Sequence, residues 1–116
     1  MKTLLILNDA PYGSERTYNA LRLAGSMAKH GGEELRVFLM GDAAGCAKTG
    51  QRVPTGYYCV NRMLDVVIAR SVPVGVCGTC MDARGIAAAE LLEGTHRGSL
   101  EELTEWTLWA DKVLVF

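Results

Sequence analysis

Val72-Pro73-Val74-Gly75-Val76-Cys77-Gly78-Thr79-Cys80-Met81-Asp82-Ala83-Arg84-Gly85-Ile86 is the stretch that decides the fold. Its first five residues read as a buried strand, and Met81 to Arg84 start a short helix that Gly85 interrupts. Two thiols therefore stand where a strand hands over to a helix. A thiol at a helix start lies near the positive end of the helix dipole, among unpaired N–H groups, and this favours the thiolate. Thr79 is expected to cap the helix and to place Cys80 in its first turn. Arg84, four residues on, shares the face of Cys80 and adds positive charge, while Asp82 opposes it. Cys77 ends the strand. Residue chemistry alone does not rank the two thiols.

Working outward, Leu4–Leu7 is apolar on both faces, as in a strand of a parallel sheet. The loop Asn8-Asp9-Ala10-Pro11-Tyr12-Gly13 follows it. Ser14 is expected to cap a helix in which Tyr18, Leu21, Ala24, Met27 and Ala28 recur at helical spacing, with Gly31-Gly32 as its stop. Leu35–Met40 is a second strand. The aperiodic stretch 41–54, including Cys46, reads as a long loop of functional or mobile character. Thr55 is expected to cap a helix carrying Val60, Met63, Leu64 and Val67. After the thiols come an Ala/Leu stretch, 87–92, and a loop containing His96. Ser99-Leu100-Glu101-Glu102 reads as a capping box that opens a helix with Leu103, Trp106 and Ala110 inward. Lys112-Val113-Leu114-Val115-Phe116 reads as the last strand. Alternating strands and helices imply right-handed crossovers: a single α/β domain over 1–116, a three-layer doubly wound sheet, mainly parallel and flavodoxin-like. Chemistry in such sheets gathers at the carboxyl ends of strands. That edge holds Asn8, Tyr12 and Gly13 from the first loop, Cys46 from the second, and Gly78 and Thr79 beside the thiols, all candidate pocket residues.

Composition narrows the classes. The 116 residues suffice for one domain, and 49% of them are apolar, a mild excess that points to self-association. A net charge of −1 advertises neither nucleic acid nor an anionic membrane. No apolar run approaches the roughly 18 residues of a membrane span. The opening residues read as a strand rather than a signal peptide, so a cytoplasmic location with reduced cysteines is expected. Reduced thiols point to catalysis, metal or packing. Thioredoxin-type chemistry needs a proline facing the disulfide from a later segment; here Pro11, Pro54 and Pro73 all precede Cys77. Zinc would need more ligands from Cys46, Cys59, His30 or His96, whose spacings match no standard knuckle. No metal and no cofactor are therefore expected. Gly13-Ser14-Glu15 at a helix start lacks a full phosphate-binding signature.

The chain resembles the DsrE/DsrF-like family of small sulfur-relay proteins. The resemblance rests on Pro11-Tyr12-Gly13-Ser14-Glu15, Phe38-Leu39-Met40-Gly41-Asp42 and Pro54-Thr55-Gly56-Tyr57-Tyr58. It continues through the Cys77 to Ile86 block and Ala110-Asp111-Lys112-Val113-Leu114. It implies a DsrE-like α/β subunit assembled into homotrimers or homohexamers in the cytoplasm, with sulfur-donor and sulfur-acceptor proteins as partners. It also implies a sulfurtransferase-type role in which one cysteine carries sulfur as a persulfide. Counted back from Arg84-Gly85, that cysteine is Cys77. Cys80 departs from the relay pattern: a second thiol could attack the persulfide and release sulfide, or close a disulfide. Arg84 and the N–H groups of residues 78–80 would steady the anionic sulfur. The alternatives are a non-catalytic oligomeric module that binds a small molecule or partner, and a Cys77–Cys80 redox switch.

Overall fold

In the computed structural model, which describes residues 1–116, the strands are β1 (Lys2–Leu7), β2 (Glu34–Leu39), β3 (Val74–Cys77), β4 (Thr95–Gly98) and β5 (Lys112–Val115). The helices are α1 (Arg16–Met27), α2 (Val60–Ala69), α3 (Gly78–Ala83) and α4 (Leu100–Trp109). All strand pairs are parallel, in the order β4-β3-β2-β1-β5. The chain is thus the doubly wound α/β sheet that its alternating pattern predicts.

Strand order fixes which face each helix covers. From β1 the chain steps outward through β2, β3 and β4, then returns across the sheet to β5 on the far side of β1. Right-handed crossovers that run in opposite directions lie on opposite faces, so α4 is separated from α1 and α2. The larger core lies under α1 and α2, where Leu5, Leu7, Val37, Leu39, Val74 and Val76 meet Leu21, Leu64 and Val67. On the other face Leu4 and Phe38 meet Leu103 and Trp106 of α4, with Ile6, Met40, Cys77 and Ala110 packed around them. Alternation along each strand produces this division: neighbouring residues of β1 and β2 serve different cores. The α4 face is the thinner one, and Leu100, Leu108, Val113 and Val115 remain exposed. No helix is long and apolar enough to cross a membrane.

Several local expectations are corrected. Residues 41–47 form a 3-10 segment rather than an open loop, with Ala43, Ala44, Cys46 and Ala47 fully buried. Small side chains let this backbone pack against the core, and Gln51 and Asn61 satisfy its carbonyls: their side-chain amides donate to Gly45, Cys46 and Lys48. Helix α1 begins after Glu15, while Ser14 accepts from the Arg16 N–H and donates to Asp9. Thr55 does not cap α2. The Val60 N–H at the first position of α2 instead donates to the Tyr12 hydroxyl at 3.0 Å. His96 lies on β4, which pairs with β3 from Val74↔Thr95 to Cys77↔Gly98. Of the capping box, the Ser99 half forms, whereas the Glu102 carboxylate turns to His96. Ala110 follows α4, which buries Leu103 and Trp106.

Candidate functional site

Cys77 is the last residue of β3 and the cap of α3 at once. Its sulfur accepts the Cys80 N–H at 3.4 Å, the bond a serine or aspartate cap would make. Thr79, expected to be the cap, instead places its hydroxyl 3.4 Å from the same sulfur. The Cys80 sulfur accepts the Gly41 N–H at 3.1 Å, a bond across to the start of the 3-10 segment.

These contacts separate the two thiols electrostatically. Burial alone would push the Cys77 thiol up. Hydrogen bonds from the Cys80 thiol, the Thr79 hydroxyl and the backbone N–H groups of Cys80 and Thr79 outweigh it and hold the group below its ordinary value. For Cys80, burial and the neighbouring Cys77 push the thiol up, and the Gly41 N–H and the Arg84 charge only partly oppose them. Geometry thus orders what residue type could not: Cys77 is the more acidic of the pair.

Two arginines frame α3. Arg84 donates to Asp42 through Nε at 3.2 Å and Nη2 at 2.8 Å, and to the Cys80 carbonyl at 3.1 Å, tying α3 to the 3-10 segment. Arg97 of β4 makes a paired contact to Asp82, 2.8 and 2.9 Å, which lowers the Asp82 carboxyl and raises the guanidinium. Arg97 also feels the charge of Cys77. Its guanidinium passes so close to Gly78 that a Cβ there would stand 2.7 Å from its carbon. Arg97 was not singled out in the sequence; the sole hint is a basic residue just before a helix cap, which is no signal without knowledge of β4.

The thiols open into a cleft of about 530 Å³ between β3, β4 and the start of α4. Phe38, Met40, Leu100 and Leu103 form its apolar wall; Gly78, Thr79 and Arg97 line its polar side with Cys77 and Cys80. Such a space suits a small group or an inserted side chain, presented to a thiol beside one cation. The remaining candidates lie elsewhere. Asn8 is bonded to Phe116, at the junction of β1 and β5. Cys46 is fully buried, with its thiol directed at Asp9, and burial pushes it up to about 12. Tyr12 braces residues 58–60, and Gly13 lines a separate hollow of about 660 Å³. Cys59 precedes α2, and His30 follows α1.

The fold and cleft define a small parallel α/β protein with an asymmetric thiol pair at the carboxyl edge of its sheet. The chain belongs to the DsrE/DsrF-like family, whose model matches residues 1–116. It is 45% identical to protein YchN of Escherichia coli K12, across 99% of this chain and 98% of that protein. It is also 34% identical to the uncharacterized protein MK0008 of Methanopyrus kandleri, across 97% and 91%. The crystal structure of the E. coli ychN protein superposes with a TM-score of 0.93, covering 99% of this chain and 98% of that one. At 12% identity, MTH1491 of Methanobacterium thermoautotrophicum shares the fold, with a TM-score of 0.74 and coverage of 99% and 97%.

Proposed function

We propose that the protein is a cytoplasmic, homo-oligomeric sulfur carrier of the sulfurtransferase type, loaded as a persulfide on Cys77. The observation that carries this reading is the acidity ordering: of the two thiols that line the cleft, the one that caps α3 is held low. At neutral pH the Cys77 thiolate attacks the outer sulfur of a donor persulfide or polysulfide. The donor S–S bond breaks, the donor leaves as a thiolate, and Cys77–S–S⁻ forms. The first-turn N–H groups of α3 and the Arg97 charge favour the anionic sulfur, and Arg84 fixes the helix that presents it. Transfer to an acceptor thiol reverses the same chemistry.

Cys80 supplies a second exit. Its thiolate attacks the inner sulfur of the persulfide, hydrosulfide leaves, and a Cys77–Cys80 disulfide remains; the sulfane sulfur is reduced as the two thiols are oxidised. The placement of both thiols in one turn, with the Cys80 N–H bonded to the Cys77 sulfur, also supports a dithiol switch. Incubation with polysulfide followed by intact-mass analysis tests the assignment. Wild type is expected to gain one sulfur atom, Cys77→Ser none, and Cys80→Ser to retain its persulfide longer. Failure of the wild type to take up sulfur overturns the carrier reading. Disulfide formation alone, under mild oxidation, leaves the switch. Ordinary thiol reactivity at both cysteines favours the non-catalytic module.

A further inference from the structure

The hollow that Gly13 lines takes no part in the thiol chemistry. It measures about 660 Å³ and is walled by Gly13, Ser14, Glu15, Tyr18, Tyr57 and Tyr58. Tyr57 and Tyr58 stack at 4.7 Å with their planes 23° apart; Tyr18 lies 4.5 Å and Tyr12 5.3 Å from Tyr58. Four rings from three separate segments therefore form one aromatic surface. Core packing does not account for it, because Tyr57 is 53% exposed. Tyr12 has a structural task, accepting from Val60 and donating to the Tyr58 carbonyl, and so holds the surface in place.

The charge of the hollow selects its ligand. Phenol faces carry negative quadrupole density. Glu15, which directly precedes α1, is paired with none of the cations that form the salt bridges of the molecule. Of the basic side chains on α1, Arg16 reaches Asp9, and Arg22 lies over the Tyr18 ring, 5.4 Å from its centre, so one ring of this surface already holds a cation. The Tyr58 hydroxyl is held above its ordinary value, first by desolvation, then by Tyr57, with Tyr12 and Glu15 adding to the effect. A hollow that resists a further negative charge is a poor host for phosphate or carboxylate, even beside a helix start. Aromatic faces next to an unpaired carboxylate are the recognition chemistry of a soft, weakly hydrated cation.

We propose that this hollow binds a small organic cation of the quaternary or multiply methylated ammonium class, independently of the thiol pair. The test is titration of ¹³C-labelled protein with choline chloride at constant ionic strength, following tyrosine ring resonances. Saturable shifts are expected at Tyr18, Tyr57 and Tyr58. The uncharged isostere 3,3-dimethylbutan-1-ol is expected to bind about tenfold more weakly. Glu15→Gln should weaken choline about threefold to tenfold by removing the exposed charge. Tyr57→Leu, which keeps apolar bulk but loses the π face, should weaken it at least about fivefold with sulfur loading at Cys77 unchanged. Absence of saturable shifts, equal binding of the neutral alcohol, or undiminished binding by Tyr57→Leu each overturns the proposal.

Discussion

Cys77 and Cys80 share one turn but differ in what reaches their sulfurs. Cys77 collects donors from the turn it caps, whereas the Cys80 sulfur has a single N–H donor, from Gly41 of the 3-10 segment. The rate of alkylation at Cys77 is accordingly expected to rise with a midpoint below the ordinary thiol value of 9.0, and that at Cys80 above it. Site-resolved iodoacetamide kinetics between pH 6 and pH 10 would measure both. Removing the neighbouring thiol as Cys80→Ala should move the Cys77 midpoint upward. Cys46 makes a different prediction. Both the folded and the unfolded chain keep its proton below pH 9; between 9.0 and about 12 only the unfolded chain ionises it, so stability falls as pH rises through that window. The loss is at most about 1.4 kcal/mol per pH unit. Urea denaturation at stepped pH should show this extra slope in wild type and not in Cys46→Ala. Sequence placed the thiol pair on the correct edge but could not order it. That order depends on which atom caps α3, and either Thr79 or Cys77 could have served.

At the scale of elements, β4 is where pattern reading ran out. Thr95-His96-Arg97-Gly98 has no apolar alternation, and its burial is slight because it is an edge strand. Long runs such as β1 were legible because both faces are buried. Without β4 there was no reason to place Arg97 beside Cys77. The 3-10 segment was opaque for a related reason: its compactness comes from tertiary contacts of alanines, which carry no period. The two glycines at the β3–β4 junction make an element-scale prediction. A Cβ on Gly98 would lie 2.6 Å from Glu102 Oε1 and 2.9 Å from the buried Phe38 ring, and one on Gly75 would meet the same pair. Gly98→Ala and Gly75→Ala are expected to destabilise by about 1–3 kcal/mol, because the ring has nowhere to go. Gly78→Ala meets only the flexible end of Arg97 and should cost less stability. Chemical denaturation midpoints distinguish these cases, and equal losses at all three positions would contradict the packing argument.

For the whole molecule, the two sheet faces are clad unequally. Leu108 is 82% and Val115 65% exposed on the side covered only by α4. An apolar face of this kind is expected to be covered by further copies of the chain. Light scattering should return a multiple of 12.6 kDa, and Leu108→Glu with Val115→Thr should shift it downward; a monomeric wild type would reject self-association. Parallel pairing of β1 with β5 has a practical consequence of another kind. The two strands run in the same direction, so Lys2 and Val115 lie at opposite rims of the sheet. Val115 is at the rim that holds the thiol cleft, three strand spacings from β3, or roughly 14 Å. A fusion tag or surface tether joined after Phe116 would hang over the rim that carries the two thiols and crowd any macromolecule approaching it. The same attachment before Met1 would leave that rim open, so immobilised assays of sulfur exchange should be built from the amino end.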